Sequence, residues 1–237
     1  MKKLIACLKN AVEKLRLWFG SHRQFIEYVD GLLFSNPVLI EGLAIAPAVA
    51  ATPNLKSAVI LSIGFVWLVV LDVVIVRYAF ARADEAVRTI ACALIGAVLF
   101  VPLAYALKGM FPFVSSTVGL YLPIMIVDSV ILSKSELYIE LQQGKFRMFM
   151  ELLFHSLGFM LVVCLLGTVR ELMAYGTVWG VSVGIKPIST AVALPFFGFF
   201  MVGFLSALTK AFTKRFYHWI NKRPAKADIA EEESENE

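Results

Sequence analysis

Most hydrophobic positions in this chain gather into long runs, and the polar positions collect between them. Residues 55–76, 86–107, 149–169 and 188–208 are uninterrupted apolar runs. Each has about the 20 residues that a helix needs to cross a hydrocarbon layer roughly 30 Å thick. Two further runs are broken: 36–52 (NPVLIEGLAIAPAVAAT), and a span over 111–132 with Pro112 at its start and Pro123 inside it. The first carries Glu41, the second Asp128. Each broken run is followed by two full spans, so the pattern reads as one three-span unit written twice. A three-span unit delivers the chain to the opposite side of the bilayer, so the second copy enters inverted. The predicted fold is an all-α polytopic membrane protein with six transmembrane helices as two inverted three-helix repeats, the first helix of each repeat broken.

The broken runs predict where polar chemistry sits. The apolar part of the first, 37–51, rises only about 22 Å as a helix, short of the bilayer core. Pro47 and Pro53 remove backbone donors and disfavour helix in the residues before them. Irregular backbone is tolerated at membrane depth only inside protein or beside water, so this segment is expected within the bundle. In the last span Pro195 and the spacing from Gly198 to Gly203 predict a bend and close helix packing.

Composition agrees with a membrane protein: 59% hydrophobic residues, 17% charged and a mean hydropathy of +0.77 leave too little polar surface for a soluble globule. The 19 phenylalanines suit a lipid-facing helical bundle better than a β-barrel with its alternating polar lumen. Residues 1–35 carry six Lys or Arg among apolar residues three and four apart, the pattern of a helix lying on the membrane surface. They contain no continuous apolar core of a cleavable signal peptide. With six spans, 18 of the 22 basic residues fall on the side of the N-terminus, leaving Lys56, Lys108, Arg170 and Lys186 opposite. Both termini are therefore expected in the cytoplasm. The expected organisation is a basic amphipathic segment over 1–35, a membrane domain over 36–212 (repeats 36–107 and 111–212), and a tail over 213–237, acidic and disordered at its end.

Acidic side chains inside spans are costly unless they do something. Glu41, Asp72, Asp128 and the neighbouring Ser129 are candidates for an ion path; for Asp72 the alternative is a pair with Arg77 at the helix end. His155, near a helix start, reads as hydrogen-bonded structure. Arg170 and Glu171, adjacent and opposite in charge at the end of the fifth span, read as structural anchors, with Pro47, Pro123 and Pro195 as backbone determinants. Cys7, Cys92 and Cys164 show no ligand spacing and read as small apolar residues. No nucleophile elbow, phosphate loop or metal-ligand spacing is present, so no catalytic residue, metal site or nucleic-acid partner is expected.

NPVL at 36–39 leading into GLAIAP at 42–47, YLPIMIVDSVILSKSE at 121–136, GTVRE at 167–171 and ALPFFGFF at 193–200 resemble the small six-helix membrane subunits of the Rnf and Nqr complexes. The extension before NPVL makes the RnfE/NqrD branch the nearer likeness. The resemblance implies a bacterial inner-membrane subunit of an ion-pumping electron transport complex, with a homologous six-span subunit and flavin- and Fe-S-bearing subunits as partners. It also implies a membrane iron-sulfur cluster to which each of two such subunits gives two cysteines. Here those two positions hold Ala46 and Ser129, so this chain alone is expected to bind no cofactor and to serve as a structural or ion-path subunit. The alternative, resting on the intramembrane acids alone, is a small inverted-repeat secondary transporter with Glu41, Asp72 or Asp128 as coupling site.

Overall fold

The computed structural model describes residues 31–32, 35–111, 116–140 and 144–221. The amphipathic helix expected near the N-terminus, Pro112 and the acidic stretch 227–237 lie outside the described residues. Within them the regular structure is helical apart from one small hairpin, β1 (Thr177–Val178) antiparallel to β2 (Val181–Ser182). The helices are α1 (Ile45–Ala50), α2 (Leu55–Ala79), α3 (Glu85–Met110), α4 (Ser116–Ile124), α5 (Ser129–Glu140), α6 (Lys145–Tyr175) and α7 (Pro195–Asn221). Short 3-10 turns over Met125–Val127 and Thr190–Ala193 precede α5 and α7. Among the described residues, five stretches are long and apolar enough to cross a membrane: α2, α3, the α4-turn-α5 stretch over Val118–Ser135, α6, and Pro195–His218 of α7.

The core is built on α2, which packs against α3, α5 and α6. It runs antiparallel to α6. Ser62 Oγ lies 3.9 Å from Cys164 Sγ, and Phe65 stacks on Phe159 with ring centroids 3.7 Å apart. A methyl at Gly167 would come 2.8 Å from Ala58 Cβ, so the missing side chain is what lets the backbones close there. Gly64 and Gly96 do the same for the second broken segment, because methyls there would crowd Leu122 and Ile126. The outer faces of α3 and α7 stay apolar and exposed, through Ile90, Leu94, Val98 and Tyr105 on one and Phe196, Phe200, Phe204 and Phe212 on the other.

Both broken segments are irregular, though not always where the prolines suggested. Asn36 caps a single turn, its Oδ1 accepting from Val38 and Leu39 N–H at 3.0 and 3.2 Å. Gly42 (φ +75°) and Ala44 (φ +54°) then reverse the chain into α1. Pro47 does not break α1: it is the third residue of that helix, where an amide hydrogen has no intrahelical partner to lose. The segment is largely sheltered, with Val38, Leu39, Ala48, Val49 and Ala51 buried. Pro123 likewise lies inside α4, and the break falls at Asp128, after the 3-10 turn.

Two span boundaries need correction. The fifth span continues to Tyr175, so Arg170 and Glu171 lie inside α6 and are buried. The last span starts at Pro195 and not at 188, because residues 183–189 form an exposed loop and Arg170 pins the 3-10 turn ahead of the helix. Of the glycine pair expected to pack closely, Gly198 lies against Val49 and Arg170, whereas Gly203 meets nothing within 4 Å.

Candidate functional site

Two polar centres stand out, one at each end of the α2-α6 pair. At the end where α6 begins, Lys134 Nζ donates to Glu41 Oε1 at 2.7 Å, with the Lys134 side chain 5% exposed and that of Glu41 25%. His155 Nε2 lies 3.5 Å from the same oxygen, and its Nδ1 is 2.9 Å from the carbonyl of Glu151. Three elements thus converge: the turn of the first broken segment, α5 of the second, and α6.

Local structure explains the convergence. The Asn36 turn holds Glu41 just ahead of the reversal at Gly42, and Ser206 on α7 donates to Leu39 O at 2.5 Å, tying that turn to the last span. Asp128 Oδ1 accepts from Val130 N–H at 2.9 Å, capping α5 where the second segment breaks. Val130, Ile131, Lys134 and Ser135 then fall on one buried face, which carries the lysine inward. Arg147 and Glu151 pair one turn before His155 at 3.2 Å.

Asp72 lies on α2 and bonds to no member of this centre. The contacts of Ala58, Ser62 and Phe65 with α6 mark a stripe spaced four and three apart, which continues through Val69 and Asp72 to Val76. That stripe puts Asp72 at the level of Leu152 and Leu153. It is fully buried, and neither carboxyl oxygen has a hydrogen-bond partner among the described residues, so the pairing with Arg77 is not formed. A buried carboxyl without a partner carries its full desolvation penalty.

The second centre lies at the opposite end. Arg170, fully buried, donates from Nη1 to Val49 O at 2.6 Å, Thr52 O at 2.9 Å and Thr52 Oγ1 at 3.4 Å. From Nη2 and Nε it donates to Ala193 O at 2.6 Å and Val192 O at 3.3 Å. The guanidinium therefore closes the carboxyl ends of α1 and of the 3-10 turn before α7, where a cation opposes the helix dipole favourably. Glu171 does the converse at donor groups: Oε2 accepts from Leu55 N–H at 2.8 Å, and Oε1 from Gly180 N–H at 2.7 Å and Thr177 Oγ1 at 3.0 Å. Among the described residues, the partners of this pair are backbone ends and threonine hydroxyls and not other charges.

Of the four ion-path candidates, the structure brings Glu41 into a cluster of charged groups. Asp72 is alone, Asp128 is a cap, and the side chain of Ser129 lies outside the described residues. Lys134 and His155 are the members that sequence reasoning missed. Lys134 fell only within the count of basic residues on the side of the N-terminus, although its spacing from Val130 and Ile131 already put it on an apolar face.

Comparison with known proteins places these features in context. The sequence profile of a family described as "Rnf-Nqr subunit, membrane protein" matches residues 25–206. The chain is 26% identical over 194 residues to a component of the proton-translocating ferredoxin:NAD(+) oxidoreductase complex of Clostridium ljungdahlii, covering 79% of this chain and 88% of that one. It is 23% identical to a component of the Na(+)-translocating NADH-quinone reductase of Pseudoalteromonas atlantica, over 73% of this chain and 85% of that one. It is also 28% identical to a component of the ion-translocating oxidoreductase complex of Shewanella oneidensis, over 63% and 64%.

Proposed function

Because this chain belongs to the Rnf-Nqr family of membrane-protein subunits, we propose that it is an integral subunit of an electron transport complex that couples redox chemistry to ion translocation. The observation that carries this reading is the family match over 25–206, which takes in both broken segments and the Arg170-Glu171 anchor. The finer topology we propose is six spans in two inverted repeats, with both termini in the cytoplasm of a bacterial inner membrane. The antiparallel packing of α2 on α6, the second and fifth spans of that scheme, supports it. So does the excess of basic residues on the side of the N-terminus.

In this reading the chain is a structural and ion-path subunit that holds no cluster itself. Ala46 offers a methyl group where the family resemblance implies a thiolate. The thiols on described residues are committed elsewhere: Cys92 on α3 donates to Ser135 at 3.4 Å, and Cys164 on α6 lies against Ser62. These residues do not fit a four-thiolate cluster, and no electron step is routed through them. Glu41, Asp72, Asp128 and Ser129 remain the proposed ion path, with Asp72 the member whose unpaired burial asks most strongly for a role.

Affinity purification of the tagged chain in mild detergent tests the assignment. It should recover a second six-span homologue together with flavin-bearing and Fe-S-bearing subunits. Recovery as a lone monomer or homodimer overturns it.

A further inference from the structure

The relatives divide between proton and sodium translocation, and the chemistry around Glu41 discriminates between the two. A hard cation is held by several oxygen ligands at once. Glu41 Oε1 instead faces two nitrogens, Lys134 Nζ at 2.7 Å and His155 Nε2 at 3.5 Å. The ammonium already supplies the positive charge that a metal ion would bring. It is covalently tethered to α5 and buried, so a sodium ion at this carboxylate would meet it as a like charge.

The imidazole is set for proton exchange. Its Nδ1 is 2.9 Å from the Glu151 carbonyl oxygen, which can only accept, so the hydrogen sits on Nδ1. That leaves Nε2 pointing at Glu41 with either a lone pair or a second proton. A lone pair facing a carboxylate repels it, whereas a proton there makes an imidazolium that donates to it. Gly31 lies so close that a methyl on it would overlap the ring, which holds the imidazole in place. Among the described residues, the charged groups toward this end of the bundle are Glu41 on its turn and Lys134 on α5, which face the ring, Arg147 and Glu151 on its own helix, paired with each other, and Asp72 on α2.

We propose that His155 is a proton-binding site whose Nε2 takes up and releases a proton against Glu41 Oε1, with Lys134 as a tethered counter-cation in place of a metal ion. The ion handled at this end of the chain is then a proton and not sodium. The inference rests on the ion-path reading of Glu41. On uptake an N–H bond forms at Nε2 with a proton from water at the exposed edge of the Glu41 carboxylate; on release that bond breaks and the proton returns to water. In the charged state two cations share one carboxylate, which weakens the hold of Lys134 and couples proton occupancy to the docking of the two broken segments.

The test is 15N-histidine NMR on the full-length chain in nanodiscs, with the three histidines, His22, His155 and His218, assigned through H22Q and H218Q variants. The His155 ring should carry its fixed proton on Nδ1 and gain or lose the Nε2 proton as pH is varied. Its Nε2 resonance should move in E41Q and stay put when KCl is replaced by NaCl. Where E41Q does not give monodisperse protein, K134Q serves as the second variant and should move the same resonance. A pH-silent ring, a proton fixed on Nε2 alone, a resonance indifferent to these variants, or a saturable sodium-dependent shift overturns the proposal. Failure here with an intact complex in the affinity purification removes only the proton assignment, whereas failure of the purification removes the subunit reading.

Discussion

Replacing Arg170 by alanine tests how much of this fold hangs on one guanidinium. Three of its contacts are short, at 2.6 Å to Val49 O, 2.6 Å to Ala193 O and 2.9 Å to Thr52 O, and two are weaker, at 3.3 and 3.4 Å. A hydrogen bond from a charged donor contributes about 1.5–3 kcal/mol net, so the three short ones sum to about 4.5–9 kcal/mol before any offset. The cost of burying the guanidinium offsets part of that. No carboxylate pairs with it among the described residues, so its removal strands carbonyl groups and not an opposite charge. The expected loss is about 3–5 kcal/mol, a large share of the 5–15 kcal/mol that holds a typical domain. For a chain of this size that corresponds to an apparent melting temperature lower by roughly 6–20 °C. Fluorescence-detected size exclusion of a tagged full-length chain after graded heating reads it directly. R170K, which keeps the charge but not the fork, should recover about half of the loss. An R170A protein that melts within about 2 °C of wild type would refute the reasoning, because the carbonyl ends of α1 and of the turn before α7 would then be satisfied without it.

Other substitutions probe the rest of the scheme. E171Q keeps the size of the side chain but turns an amide N–H₂ toward backbone donors, and should cost about 1–3 kcal/mol in the same assay. D72L removes the unpartnered carboxyl and should raise thermal stability by about 1–3 kcal/mol while abolishing ion translocation by the assembled complex. A destabilised D72L would mean that the carboxyl has a bonded partner after all. G167A places a methyl 2.8 Å from Ala58 Cβ and 2.9 Å from Asn54 O, and should lose about 1–3 kcal/mol through overpacking. F159A deletes the ring stacked on Phe65 at the centre of the bundle and should cost about 3–5 kcal/mol, read as loss of monodisperse protein on heating.

Much of the architecture was legible in the chain because the bilayer constrains it so tightly. Length and apolarity alone mark α2, α3 and α6, since a spanning helix must satisfy its own backbone and expose only apolar side chains. Proline and the acidic residues marked 36–52 and 111–132 as irregular, and that also follows from local chemistry. The exact breaks did not follow. Pro47 and Pro123 sit within helices, and the chain turns instead at Gly42, Ala44 and Asp128, where local hydrogen bonds close the turns and Ser206, from another helix, holds the first of them at Leu39. The start of the last span was misplaced for the same reason, because residue 188 is apolar enough for a membrane but the turn over Thr190–Ala193 is held by Arg170 from another helix.

The polar centres show the division most clearly. Sequence marked Glu41, Asp72, Asp128, Arg170 and Glu171 as groups that a membrane interior makes expensive, which is a property of each side chain by itself. Which of them has a partner is a property of packing. Lys134 reaches Glu41 across 93 positions of sequence, and Glu171 caps α2 across 116. Asp72, five residues from an arginine on its own helix, has no hydrogen-bond partner among the described residues. Hydropathy is written one residue at a time and survives without a fold, whereas a hydrogen bond between distant residues exists only once helices have chosen their neighbours and their register.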